Sequence, residues 1–256
     1  MKSEASKKAD IIQKAVENNI LKQAGFIRKG RNFNRKTEDG LTQVVTFQLY
    51  KKYQWDPTLL SVYVGIRIPE CVNRIFDSAE SADVFASNYC TLDVDIGKFK
   101  GIDNYRGYRG FHYCLDKGDT KQRDEVHQRT DEFLRSVGSG CPEDFYVNND
   151  TEYEDRVEDV IPDICDILMN KAFPLFADLD SREKILHNME RYKDLDNISS
   201  HLWKLMTVFI YGARGEVEKA KQIFDEYYND VKKRIEEPGS RGHLEYLDGL
   251  AKKLNF

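Results

Sequence analysis

Alternating apolar and polar positions dominate the first half of the chain. The clearest run places apolar side chains at every second position before Pro69, namely Leu60, Val62, Val64, Ile66 and Ile68. Such alternation predicts a half-buried strand, and shorter runs over residues 41–49 and 90–96 repeat it. A turn at Glu38-Asp39-Gly40 predicts a β-hairpin with the segment 26–36. These patterns predict an antiparallel sheet of about four strands, with one apolar face covered and one polar face in water.

Helical periodicity flanks this sheet on both sides. Ala9, Ile12, Val16 and Ile20 predict a first amphipathic helix that covers the sheet. After Asp116 the alternation stops, and helical spacing over 126–137, 157–168, 202–210 and 217–231 takes its place, the last two segments as a helical hairpin.

The change of period predicts an α+β fold in two parts. Residues 1–116 form an α+β domain with an N-terminal helix and the antiparallel sheet, and residues 117–256 form an all-helical region. One helix cannot cover the whole apolar face of such a sheet. We therefore expect at least one C-terminal helix to pack on the first part.

Composition narrows the cellular setting. The 256 residues carry a net charge of −5 and include no apolar run long enough to span a bilayer. The N-terminus lacks the apolar stretch of a secretory signal, and the five cysteines contain no C-x-x-C pair. We expect a cytoplasmic protein with reduced thiols, no cofactor and no attraction to membranes or, through its overall charge, to nucleic acid.

Three segments carry a family resemblance. In order and spacing, residues 25–33, 40–48 and 62–66 resemble the bacterial domain-of-unknown-function family 4304, and the similarity extends over about residues 9–120. The family's tryptophans after the aspartate at position 103 are replaced here by Asn104 and Tyr105. The resemblance implies a compact bacterial α+β domain and assigns no reaction, substrate or catalytic residues.

A Gly- and Tyr-rich loop over residues 101–110 is the first candidate site. It lies where the two patterns meet, so we expect it at the seam between the two parts of the fold. Tyrosine and arginine are frequent anchors in protein recognition. The residues expected to line a groove there are Tyr105, Arg106, Tyr108 and Arg109.

The polar face of the sheet is the second candidate. It would present Tyr63 and Arg67 on one strand and Asp93 and Asp95 on another. A small-ligand or nucleotide-handling enzyme could bind an anion with Arg67 and use either aspartate as a base. Cross-strand pairing of arginine with aspartate is the structural alternative.

Two further clusters are candidates for binding nucleic acid or a metal ion. Cations alternate with aromatic residues over 26–36, as in single-strand nucleic-acid platforms, although a charged edge hairpin has the same composition. Cys90, His112 and Cys114 lack a fourth ligand for a zinc site, so we expect no metal.

The absence of familiar catalytic motifs decides between function classes. The sequence contains no zinc-protease, P-loop, dinucleotide-binding or nucleophile-elbow motif. We therefore expect a non-enzymatic protein-binding module of an immunity-like or regulatory kind, with another protein as its partner. The alternatives are the enzyme on the polar face and nucleic-acid binding through the basic hairpin.

Overall fold

An antiparallel sheet forms the N-terminal half. The computed structural model describes residues 2–51, 54, 56–71, 90–102, 104–105, 108–109, 111–136, 154–192, 195, 200–234, 240–254 and 256. The strands are β1 (Ile27–Lys29), β2 (Asn32–Lys36), β3 (Thr42–Tyr50), β4 (Thr58–Arg67), β5 (Leu92–Asp95), β6 (Asn104–Tyr105), β7 (Tyr108–Arg109) and β8 (Tyr113–Asp116). Six of them form one sheet in the order β1-β2-β3-β4-β5, with β8 also paired to β4, while β6 and β7 form a separate hairpin.

The long pair β3–β4 is the centre of the sheet. Its register runs from Thr42 opposite Arg67 to Tyr50 opposite Leu59. The other edge of β4 is shared, because β5 pairs with residues 63–66 and β8 with residues 58–60. The turn between β2 and β3 needs a left-handed residue, which Gly40 supplies with φ of 77°.

Along the chain, one helix precedes the sheet and the other α-helices follow it. Helix α1 (Glu4–Val16) is capped by the Ser3 hydroxyl and continues as a π-helical turn over Glu17–Leu21, and a 3-10 helix spans Ile96–Lys100. The later helices are α2 (Thr120–Ser136), α3 (Val157–Ile167, continuing as a π-helical turn over Leu168–Ala172), α4 (Phe173–Asp178), α5 (Arg182–Tyr192), α6 (Ser200–Ala213), α7 (Val217–Lys233) and α8 (Ser240–Leu254). Pro162 lies inside α3.

One contiguous apolar core joins the sheet to the later helices. The Phe26 ring lies 6.1 Å from Phe173 and 6.0 Å from Phe176, both on α4. The Gln43 side-chain amide donates a hydrogen bond to the Phe176 carbonyl at 2.9 Å. Helix α1 packs against β3, β8 and α3. The sheet and these helices therefore pack directly on each other, while the division into domains at residue 116 stays a prediction.

The predicted α+β class is confirmed, with more strands than the four expected. Strands β1 and β8 are short, and β1 is exposed at all three positions, so neither shows the alternation that marks a longer strand. Ile75, Ala82 and Phe85 predict a helical stretch, and Gly138-Ser139-Gly140 predicts the end of the helix over 126–137, but both segments lie outside the described residues. No helix in the described part of the chain is long and apolar enough to cross a membrane.

The expectation of a polar face in water is wrong. Buried residues of this face include Asn34, Ser61, Arg67 and Asp95, and His112 beside it is buried as well. Polar groups on this face also bond to one another, as when the Thr46 hydroxyl donates to the Asn32 side chain at 3.1 Å. Alternation along a strand distinguishes two faces and does not tell which of them meets water.

Candidate functional site

The structure describes the backbone of most of the predicted loop site but not its four candidate side chains, and it places a short hairpin where a loop was predicted. Arg106 is outside the described residues. Tyr105 is paired with Tyr108 in the β6–β7 hairpin, and Arg109 with Asn104, but only the backbone of these residues is described. A groove lined by these four side chains therefore stays a prediction.

The four predicted residues of the polar face do come together. Tyr63 is directly opposite Asp95, and Asp93 is opposite Gly65, so they share one face with Arg67. Cys90 lies against this face, because a Cβ atom added to Gly65 would be 2.8 Å from its sulfur. Burial raises the pKa of the Cys90 thiol, the Asp93 charge raises it further and the Arg67 charge lowers it. Both charges therefore act at the same buried thiol.

Asp95 is fixed by backbone groups. It is 3% exposed, and its Oδ1 accepts a hydrogen bond from the Gly97 N–H at 2.7 Å. The Phe111 N–H approaches both of its carboxylate oxygens, at 3.4 and 3.3 Å. Burial raises the pKa of the Asp95 carboxyl, while the Gly97 hydrogen bond and the charge of His112 oppose that rise. Asp95 thus holds the start of the 3-10 helix against the segment before β8.

Ser61 and His112 are the polar-face residues that the sequence did not single out as a pair. The Ser61 Oγ lies 2.5 Å from His112 Nδ1. They are 51 positions apart, and β8, which brings His112 to β4, has no sequence signal of its own. Both are buried, so this contact joins β4 to the segment before β8 inside the protein.

No group of three or more His, Cys, Asp or Glu side chains among the described residues could hold a metal ion.

Replacing Asp95 with asparagine should reveal a pH-dependent stability. Burial raises the folded-state pKa above the ordinary 3.8, so the folded protein holds this proton more tightly than the unfolded chain. The carboxyl therefore destabilises the fold as pH rises from its unfolded pKa through its folded pKa. We expect the free energy of unfolding of the wild type to fall relative to Asp95→Asn over that interval, measured by urea denaturation from pH 3 to 7.

Asp10 provides the matched control. Its pKa is lowered, first by the hydrogen bond from Lys2, so its contribution should disappear as pH falls through its folded pKa. The wild type should therefore lose stability relative to Asp10→Asn on acidification, which is the opposite slope. Equal slopes for the two variants would contradict the buried-carboxyl account of Asp95.

The basic hairpin uses most of its arginines internally. The Arg28 guanidinium pairs with Glu17 at 2.8 Å, and that of Arg31 pairs with Asp10 at 2.8 Å. Both carboxylates come from α1 or the π-helical turn that follows it. These two ion pairs therefore attach the hairpin to the first helix and its π-helical turn. Arg35 of the same hairpin makes no such ion pair among the described residues.

A cleft of about 670 Å³ lies where the β2–β3 turn meets the chain entering α5. Its lining consists of residues 35–39, Gln43, Asp180 and Ser181. The cleft is therefore formed between the sheet and the helical half, at the kind of position where ligand sites are frequent. We call it the seam cleft.

Arg182 fixes the two walls of the seam cleft. Its backbone N–H donates to the Asp39 carboxylate at 2.7 Å. Its guanidinium makes two parallel bonds to Glu70, at 2.6 and 2.8 Å. Asp180 pairs with Lys184 at 2.8 Å, and the Ser181 hydroxyl caps α5. Two of the acidic groups lining the cleft, Asp39 and Asp180, thus already have cationic partners.

Arg35, half-buried, and Gln43, buried, both line the seam cleft, and we call this pair its floor. Its Nε and Nη2 donate to Gln43 Oε1 at 2.8 and 2.6 Å, and its Nη1 donates to the Ala24 carbonyl at 2.8 Å. The guanidinium carbon lies 4.8 Å from the centre of the Phe26 ring and 6.0 Å from that of Phe173. Arg35 is therefore half-buried, held in one orientation and in contact with both halves of the fold.

Comparisons of the whole chain with known proteins add nothing to this geometry. No family model, no curated protein and no solved structure matches the chain.

Proposed function

We propose that this protein is a non-enzymatic protein-binding module, of a regulatory or immunity-like kind, that binds a partner polypeptide in the seam cleft. The observation that carries the proposal is a cleft between two halves of the fold whose walls are fixed by the Arg182 bonds to Asp39 and Glu70. A binding surface that is already ordered costs less entropy on association.

The lining of the cleft suits a charged and polar ligand. Its side chains are hydroxyl, amide, carboxylate, guanidinium and ammonium groups, with no histidine or cysteine among the described lining residues. Its volume lies within the range of about 300 to 1,000 Å³ that is usual for ligand pockets. Groups of this kind suit the charged and polar side chains of a polypeptide segment.

The polar-face enzyme and the nucleic-acid binder receive less support. Asp95 and Arg67 of the polar face are buried, and Asp95 is occupied by backbone N–H groups. Arg28 and Arg31 of the hairpin already have carboxylate partners, which reduces the positive charge available to phosphates. We also propose that the chain belongs to the domain-of-unknown-function family 4304, because residues 25–33, 40–48 and 62–66 resemble it in order and spacing. Membership would supply no reaction.

Site-specific cross-linking tests the proposed function. Benzoylphenylalanine in place of Glu38, which is exposed at the cleft, should capture one stoichiometric protein from native lysate. The same photoreactive residue in place of Lys253, exposed on α8 away from the cleft lining, is the control and should capture none. Repeated failure to obtain a product at position 38, or the same products at both positions, would contradict the proposal.

A further inference from the structure

We infer that the seam cleft recognises a carboxylate of the partner polypeptide and that Arg35 is its anchor. The inference rests on the proposed function, and it adds the chemical group that the cleft selects. The carboxylate would come from an aspartate or glutamate side chain or from a C-terminus, since all three present the same planar pair of oxygens.

Arg35 has donors to spare. A guanidinium carries five N–H groups. In the described part of the chain, Gln43 Oε1 accepts from Nε and Nη2, and the Ala24 carbonyl accepts from Nη1. One N–H on each terminal nitrogen is left for a ligand. Two such groups on neighbouring nitrogens can bind both oxygens of a carboxylate.

Arg35 also lacks a counter-ion among the described residues. Asp39 and Asp180, the nearby carboxylates that line the same cleft, pair with Arg182 and Lys184 instead. Burial alone lowers the pKa of the Arg35 guanidinium, whereas a paired carboxylate would raise it. A half-buried charge without an ionic partner is costly, and the aromatic contacts offset only a part of that cost. An incoming carboxylate would supply the missing partner.

The charges around the floor favour a singly charged anion. Lys36, beside Arg35, is exposed and provides a second cation near the lining. Glu38, an exposed carboxylate in the same lining, would repel a phosphate dianion more strongly than a carboxylate. This balance also disfavours a nucleic-acid backbone. The cleft is therefore suited to an isolated acidic group within a polypeptide.

A peptide titration of the full chain, followed by NMR, tests the inference. The probes are acetyl-Ala-Asp-Ala-amide, acetyl-Ala-Ala-Ala with a free C-terminus, acetyl-Ala-Asn-Ala-amide and inorganic phosphate. We expect at least one acidic peptide to shift the Arg35 Nε–H and Gln43 side-chain signals, with the neutral peptide inactive and phosphate weaker. The acidic peptide that binds with the higher affinity shows whether the carboxylate comes from a side chain or from a C-terminus.

Charge variants at the cleft supply the controls. Lys36→Gln should weaken binding of the acidic peptide about two- to fivefold, and Glu38→Gln should strengthen it by a similar factor. Lys253→Gln removes a positive charge from α8, as Lys36→Gln does at the cleft, and should leave the affinity for the acidic peptide unchanged. Arg35→Lys should weaken binding about tenfold or more because an ammonium cannot make the two-oxygen contact.

The two proposals can fail separately. Equal shifts with the acidic and neutral peptides, tighter binding of phosphate, or changes of the same sign in Lys36→Gln and Glu38→Gln would overturn the carboxylate assignment. Cross-linking from position 38 would still support a protein-binding cleft in that case. Lys36 and Glu38 are both exposed, so their variants keep the test valid even if Arg35→Lys does not fold.

Discussion

Replacing Gly97 with alanine should destabilise the protein by about 3 kcal/mol or more, at the upper end of what overpacking costs. An added Cβ would lie 2.1 Å from the Phe111 Cβ and 3.0 Å from Asp95 Oδ1. Neither Phe111 nor Asp95 can move away without breaking contacts that it makes in the folded protein. The Phe111 N–H bonds to Asp95, and the Phe111 ring packs edge-on against Tyr113 at 4.8 Å. Urea denaturation followed by far-UV circular dichroism would measure the change.

Gly249→Ala is the matched control for Gly97→Ala. Gly249 lies within α8, and a Cβ there would meet nothing within 4 Å. Alanine in a helix interior is favoured over glycine by up to about 1 kcal/mol, so this variant should be more stable than the wild type. Similar effects of the two substitutions would show that the close approach at Gly97 relaxes at little cost.

Replacing Phe176 with alanine should lower the free energy of unfolding by about 3 to 5 kcal/mol, the usual cost of removing a buried phenylalanine ring. Phe176 is 0% exposed and contacts the Phe26 ring, which follows α1 and its π-helical turn. Because this ring lies where α4 meets the N-terminal half, the loss should affect both halves at once. We expect a single unfolding transition, shifted to lower urea concentration.

Phe133→Ala controls for the loss of a phenylalanine as such. Phe133 lies on α2 and is 64% exposed, so its removal should change stability by less than about 0.5 kcal/mol. Two separated transitions in Phe176→Ala would show that the halves unfold independently. An effect as small as that of Phe133→Ala would place the Phe176 ring outside the shared core.

Much of the fold could be predicted because long strands and amphipathic helices carry their own periodicity. The alternation before Pro69 gave β4, and the two apolar stripes around Gly215 correspond to α6 and α7. Strands β1 and β8, of three and four residues, are too short to show a period. The burial of the polar face depends on tertiary packing, which no local pattern contains.

The seam cleft could not be predicted from the sequence, because it too depends on tertiary packing. Arg35 could be recognised as one cation of a basic, aromatic hairpin. Its burial depends on Phe173 of α4, and the opposite wall is supplied by Asp180 and Ser181, more than 140 positions later in the chain. Pairing of Asp39 with Arg182 likewise joins residues 143 positions apart. That Arg35 lacks a counter-ion among the described residues can be recognised only once the ion pairs of Asp39 and Asp180 are known.

Strand β1, at one edge of the sheet, has a consequence for self-association. Strand β1 has only three residues, all exposed, and two of them are the cations Arg28 and Lys29. A growing cross-β fibril needs a longer, less charged row of backbone groups to serve as a template. At this edge, folded molecules should therefore resist strand-by-strand aggregation even at high concentration, and fibrils should form there only from chains that have already unfolded.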